Sequence, residues 1–169
     1  MKRALAYIVA AVVTCGLFGT AKPAAAQYYK HGLGIRVGNH FAADYKTFFS
    51  ERFAVDANLG LVNPFTMRYQ FMIVSGACQY HFATPIPKLV PYAGGGLSAG
   101  MQFGRRRHNT SISRDHSFFM SVDIPIGVEY TLKMPAVVFF EWNPKIQFIE
   151  EACFVPQSVS LGFRFTFDW

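Results

Sequence analysis

The amino-acid sequence predicts an all-β chain folded as an eight-stranded antiparallel up-and-down transmembrane β-barrel, and three observations lead there. Apolar residues recur with a period of two over many short segments separated by turn residues, the pattern of strands that bury one face. No long stretch carries an apolar period near 3.6, and the heptad pattern is missing throughout. The face opposite the apolar one is close to charge-neutral and rich in small residues, which suits a narrow closed interior.

The N-terminus is read apart from the fold. Lys2 and Arg3 precede the apolar run "ALAYIVAAVVTCGLFG", and "TAKPAAA" follows, with Ala24 and Ala26 spaced for signal peptidase before Gln27. These are the parts of a secretory signal, and the run is shorter than the roughly 20 residues of a bilayer-spanning helix. Cys15 follows Thr14, a poor residue to precede a lipidated cysteine. Cleavage is therefore expected after Ala26. Removal of residues 1–26 from a chain of 169 leaves 143, residues 27–169, enough for one barrel domain with a sizeable core and no linker or low-complexity tract. Lys2, Arg3 and Lys22 leave with the signal, so Lys+Arg falls from 16 to 13 against 10 Asp+Glu, and the formal charge falls from +6 to +3. That balance gives no case for a nucleic-acid partner. Cys78 and Cys153 fall toward opposite ends of the predicted barrel, so no disulfide is expected even in an oxidising compartment.

Each strand then follows in order. The first, 32 to 39, carries Arg36 on its polar side and ends at a bend marked by Asn39 and His40; the second, 41 to 50, carries Asp44 and Lys46. After "SERF" the third, 53 to 62, carries Asp56, and after "NPFT" the fourth runs from 68 to 82 and closes on "CQYHF". "ATPIPK" leads to the fifth, 89 to 103, with Gly94, Gly96, Ser98 and Gly100 on the polar side. A long loop, "GRRRHNTSISRDHS", is expected before the sixth, 118 to 132, where Met120, Val122, Ile124, Ile126, Val128, Tyr130 and Leu132 alternate with a face that includes Asp123 and Glu129. "KMPA" leads to the seventh, 137 to 149, with Val138, Phe140, Trp142, Ile146 and Phe148 on one side and Phe139, Glu141, Asn143, Lys145 and Gln147 on the other. "EEACFVPQ" precedes the eighth, 158 to 167, whose apolar face holds Val159, Leu161, Phe163, Phe165 and Phe167 and runs on to Trp169, opposite Arg164. Pro91, Pro125 and Pro144 fall inside strands and are expected to mark bulges.

Alternation by itself fits two barrels, a soluble lipocalin-like one with the apolar face inward and a membrane one with that face toward lipid. The polar face has few long lysines and glutamates, its charges nearly balance, and the apolar face continues to the last residue. These details favour the membrane barrel. The charged set Arg36, Asp44, Lys46, Asp56, Asp123, Glu129, Glu141, Lys145 and Arg164 then becomes an interior network, since a charge facing lipid at mid-depth costs several kcal/mol. Eight strands enclose room for side chains only, which implies a plugged lumen.

The tract "YKTFFSERFAVDANLGL" (Tyr45 to Leu61), "CQYHF" (Cys78 to Phe82), "GVEYTL" and "EWNPKIQF" resemble the small eight-stranded outer-membrane β-barrel proteins of Gram-negative bacteria, over nearly the whole of residues 27–169. The resemblance implies an integral outer-membrane location and a closing strand read by the outer-membrane assembly machinery. Phe163, Phe165, Phe167 and Trp169 supply that aromatic signal, although "FTFDW" extends two residues past the usual ending. It implies little about activity.

Candidate chemistry is sparse. His108, Asp115, His116 and Ser117 are the residue types of a hydrolase-like group, but a triad is recognised by geometry, and the signatures of the lipid A palmitoyltransferases and deacylases are missing. Arg105, Arg106 and Arg107 lie in the third outward-facing loop if both termini are periplasmic, and arginine forks suit the phosphates of lipopolysaccharide. His31, His40 and His81 lie near strand ends, are read as interfacial caps, and have no metal-ligand spacing. No cofactor or metal is expected. The expected partners are outer-membrane lipid, lipopolysaccharide and the assembly machinery, with the barrel a monomer. The expected function is a structural, adhesive or surface-exposed module without catalysis; a lipid A-modifying acyltransferase or deacylase is the alternative, and a narrow channel the third.

Overall fold

The computed structural model describes residues 29–38, 40–62, 69–108, 111–149, 153–156 and 158–168. The expected signal at 1–26, the bend residue Asn39, the connection at 63–66 and Trp169 lie outside them. The described residues form β1 (His31–Gly38), β2 (Phe41–Phe48), β3 (Phe53–Val62), β4 (Tyr69–His81), β5 (Leu89–His108), β6 (Ser111–Asp123), β7 (Ile126–Thr131), β8 (Ala136–Trp142), β9 (Lys145–Gln147), β10 (Cys153–Val155) and β11 (Val159–Phe167). These segments make eight staves, because β6 with β7, β8 with β9, and β10 with β11 are each one interrupted strand. Neighbouring staves pair antiparallel, and β1 pairs with both β2 and β11, which closes the barrel. His31 pairs with Phe167, so the two ends of the barrel sequence meet at one rim.

Pro125 and Pro144 interrupt the ladder without shifting it, and Pro91 stays within it opposite Val128, contrary to the expected bulges. Gly96 pairs with Asp123 and Ala93 with Ile126, three residues apart on both strands. Ile126 with Trp142 and Asp123 with Lys145 keep the same step. Proline lacks a donor but keeps its carbonyl: Gly94 N–H donates to Pro125 O at 2.8 Å, Ile124 N–H to Pro144 O at 3.1 Å, and Phe82 N–H to Pro91 O at 2.9 Å. A true offset occurs in the eighth stave. From Lys145–Val155 to Trp142–Val159 it advances four residues against three on its neighbour, the one-residue excess of a bulge. This stave also begins earlier than expected, since β10 lies within the segment read as a connection.

The largest difference is the expected loop at 104–117. β5 continues to His108 and β6 begins at Ser111, paired continuously from Gln102–Ser117 to His108–Ser111. Continuing the ladder satisfies backbone groups that a loop of that length would leave to solvent.

The barrel is inside-out relative to a soluble protein. Along the sixth stave Val122, Ile124, Ile126 and Tyr130 are 39–47% exposed, while Asp123 and Glu129 between them are 2% and 3% exposed. β1 shows the same division, with Leu33, Ile35 and Val37 exposed and Arg36 buried. A small apolar cluster of Tyr29, Phe48, Ala54 and Val137 lies buried near the rim where the ends meet, with Tyr29 and Phe48 edge-to-face at 5.2 Å. Outside the same rim Phe49, Phe53, Tyr80 and Phe82 form a row of rings with successive centroids 6.0, 5.0 and 5.0 Å apart. Membrane barrels place rows of this kind at an interface. Inside, Gly162 lies opposite Phe139, and a Cβ at Gly162 would run into the Phe139 ring. Only glycine leaves room for that ring in the lumen.

Candidate functional site

Alternation turns one residue in two toward the lumen, and the turn-linked strands bring those residues to similar heights. Arg36 of β1 and Arg164 of β11 stand on neighbouring staves and share carboxylates. Arg36 donates to Asp44 Oδ1 (Nη2, 2.7 Å) and Asp56 Oδ1 (3.1 Å) and pairs with Glu141. Arg164 pairs with Asp44 and donates to Asp56 Oδ2 (2.5 Å) and Glu129 Oε1 (2.6 Å). Lys46 Nζ reaches the same Glu129 Oε1 at 2.6 Å. Seven charged side chains, all buried, are thus joined across the barrel.

Neutral groups complete the cluster. Tyr29 Oη–H donates to Glu129 Oε2 at 3.0 Å, Tyr92 Oη–H to Glu141 Oε2 at 2.8 Å, and Gln79 Nε2–H to the same oxygen at 3.5 Å. The Phe139 ring lies under both guanidinium groups, 3.7 Å from Arg164 Cζ and 5.1 Å from Arg36 Cζ, and the Tyr92 ring lies 4.3 Å from Lys46 Nζ. These contacts replace hydration that a buried cation has lost.

A second, smaller cluster sits apart. Lys145 Nζ donates to Asp123 Oδ2 at 2.7 Å and to Ser98 Oγ at 3.2 Å; Ser98 and Ser121 donate to Asp123 Oδ1 at 2.9 and 3.0 Å. The nine charged residues expected as one network therefore fall into groups of seven and two. Lys145 and Asp123 stand opposite each other on β9 and β6 and satisfy one another before either can reach the larger cluster.

Two histidines read as interfacial caps are lumen residues. His40 is 7% exposed, and His81 is fully buried, with centroid distances of 4.7 Å to Phe48 and 5.3 Å to Tyr92, and Nε2 at 3.7 Å from Glu129 Oε2. Parity with Gln79, also buried, is the signal that places His81 inside. His31 is at the rim, with Nδ1 3.0 Å from both Tyr45 Oη and Thr47 Oγ1. Phe139, Tyr29 and Tyr92 were missed as members of the site because apolar or aromatic residues on a polar face carry no charge pattern.

The hairpin residues are placed by backbone register. Asp115 pairs with Gly104 and His116 with Phe103, so Asp115 and His116 take opposite faces, while His108 pairs with Ser111, four positions from Asp115 and about 13 Å along the strand. His108, Asp115, His116 and Ser117 are not brought to one point. Arg105, Arg106 and Arg107 are likewise divided, because consecutive strand positions alternate. Of the aromatic set at the C-terminal strand, Phe165 is 61% exposed, Phe163 packs edge-on to it at 4.9 Å, and Phe167 stacks on His31 at 5.8 Å. No group of three or more His, Cys, Asp or Glu suited to a metal occurs among the described residues.

Two solved structures share this architecture. The N-terminal β-barrel domain of Pseudomonas aeruginosa OprF matches with a TM-score of 0.61 and 17% identity, covering 81% of this chain and 94% of that one. Neisserial surface protein A (NspA) matches with a TM-score of 0.54 and 13% identity, covering 81% and 93%. No family model matches the chain, and no curated protein matches it. The chain has the closed all-β, eight-stranded antiparallel fold of small outer-membrane barrels.

Proposed function

We propose that this protein is an integral outer-membrane barrel with a sealed lumen, acting as a structural or surface-exposed module without catalysis. One observation carries the reading: the exposed face is apolar around the barrel while seven interlocked charged side chains fill its centre. An apolar exterior needs lipid, since a monomeric soluble protein does not leave so large a continuous patch open to water. Charges bridged from β1, β2, β3, β7, β8 and β11 tie opposite walls together, which argues against the narrow channel. The register of the hairpin gives no support to the lipid A-modifying enzyme. Closure through β1 and β11 leaves neither terminal stave seeking a partner, in keeping with a monomer.

In this reading the N-terminal signal exports the chain and is removed, and the C-terminal aromatics engage the assembly machinery. Membrane fractionation, followed by heat-modifiable gel mobility of the detergent-extracted protein, tests it. The expected result is recovery with the outer membrane and a folded band that shifts on boiling. A β-rich monomer soluble in plain buffer would reject it.

A further inference from the structure

The β5–β6 hairpin outruns the rest of the barrel. β5 has 20 residues, whereas a strand crossing a bilayer takes about 9–11. On β5 the positions from Pro91 to Met101 cover about 33 Å of strand, which at a tilt of about 40° is about 25 Å of height, the full apolar band of such a barrel. Leu97 and Met101 on β5, with Phe118 and Val122 on β6, are exposed members of that band, and Met101 pairs with Phe118. The two-residue period carries this same face upward through positions 103, 105 and 107 on β5, and 116, 114 and 112 on β6.

That face reads Phe103, Arg105 and Arg107 against His116, Arg114 and Ile112, whereas the other reads Gly104, Arg106 and His108 against Asp115, Ser113 and Ser111. Arg105 pairs directly with Arg114, and Arg107 is one diagonal step away. Like charges opposed across a ladder repel. The sole acid of segment 102–117 is Asp115, on the opposite face. Within segment 102–117, the acid therefore takes one face and three arginine positions share the other, the membrane-side face, about 10 Å above Met101. That is the level of lipid headgroups, and a phosphate accepting from arginine forks converts the repulsion into attraction.

We propose that Arg105, Arg107 and Arg114 form one binding site for the phosphate groups of an outer-leaflet glycolipid, with His116 beside it and Arg106 outside it. The site rests on the outer-membrane reading and narrows its partner to a phosphorylated headgroup. It replaces the set of three consecutive arginines with a set defined by register.

The test reconstitutes the full chain in phosphatidylcholine vesicles containing either bisphosphorylated lipid A or the same lipid with its phosphates removed, then measures lipid A retained per barrel after detergent extraction. Wild type should retain the bisphosphorylated lipid, and the variant Arg105→Gln/Arg107→Gln/Arg114→Gln should retain roughly tenfold less, as expected for loss of charge-assisted contacts. Arg106→Gln should match wild type. The difference should vanish with the dephosphorylated lipid and shrink as salt rises, and millimolar inorganic phosphate should not displace the lipid. Equal loss in Arg106→Gln and the triple variant, undiminished retention by the triple variant, or indifference to the lipid's phosphates would each overturn the site; displacement by inorganic phosphate would make it a free-anion site instead. Heat-modifiable mobility is scored on every sample. If the triple variant fails to fold, Arg114→Gln against Arg106→Gln decides the same question, with loss confined to Arg114→Gln expected and equal loss overturning the site. Absence of the wild-type protein from the outer membrane would defeat the broader reading, whereas retention unaffected in a membrane-resident triple variant defeats this site alone.

Discussion

Replacing Glu129 separates two ways of reading the lumen. By charge count, the large cluster holds four carboxylates (Asp44, Asp56, Glu129 and Glu141) against three cations (Arg36, Lys46 and Arg164), so Glu129→Gln would bring it to neutrality and cost little. By contacts, Glu129 is the one carboxylate that Lys46 meets among the described residues, and Lys46 is fully buried. Stranding a buried ammonium costs about 3–5 kcal/mol. Arg164 loses less, because Asp44 and Asp56 still hold it. The contact reading therefore predicts a loss of several kcal/mol where the counting reading predicts none.

A double-mutant cycle with Lys46→Met sharpens the test. Lys46→Met leaves Glu129 with Arg164 Nη1 at 2.6 Å and Tyr29 Oη at 3.0 Å, so it should cost about 1–3 kcal/mol. In the double variant no ammonium remains to strand, and the coupling should reach about 2 kcal/mol. The reversal Glu129→Lys should be worse than Glu129→Gln, since it sets a third cation beside Lys46 and Arg164. Urea titration of the barrel in lipid vesicles, with the folded fraction read from heat-modifiable mobility, supplies the four stabilities. Additivity of the two substitutions within about 0.5 kcal/mol, or a Glu129→Gln barrel as stable as wild type, would refute the contact reading.

Gly162→Ala should destabilise the barrel by about 1–3 kcal/mol, because its methyl group competes with the Phe139 ring; unchanged urea stability would show that the ring has room to move. Phe139→Ala should cost about 3–5 kcal/mol by leaving a void beneath Arg36 and Arg164, measured in the same titration, and a smaller effect than Gly162→Ala would count against its packing role. In planar bilayers the wild type should give no steady porin-sized current, since the cluster crosses the lumen; persistent large conductance would contradict a sealed interior. Mass spectrometry of the exported protein should find Gln27 as its first residue, and a mass retaining residues 1–26 would reject the signal assignment.

Period-two alternation in the sequence was enough to predict eight staves, their division into outward apolar and lumen-facing residues, and the common rim of the two ends. A strand places alternate residues on opposite faces whatever it pairs with, so Val122 and Asp123 are separated by covalent geometry before any partner is chosen. What each lumen residue touches is a matter of register and barrel closure, which bring together residues as distant as Asp44 and Arg164. For that reason the sequence could name the nine interior charges, but only the tertiary structure could divide them, pairing Lys145 with Asp123 and joining the other seven. The same holds for His81, whose lumen position follows from parity but whose aromatic and carboxylate neighbours come from three other staves. The hairpin beyond the apolar band shows the limit most plainly. Its polar composition reads as a loop, since it carries no alternation of apolar and polar positions to mark a strand. Pairing of the backbone, which composition does not record, sets Arg105 against Arg114 and parts both from Arg106.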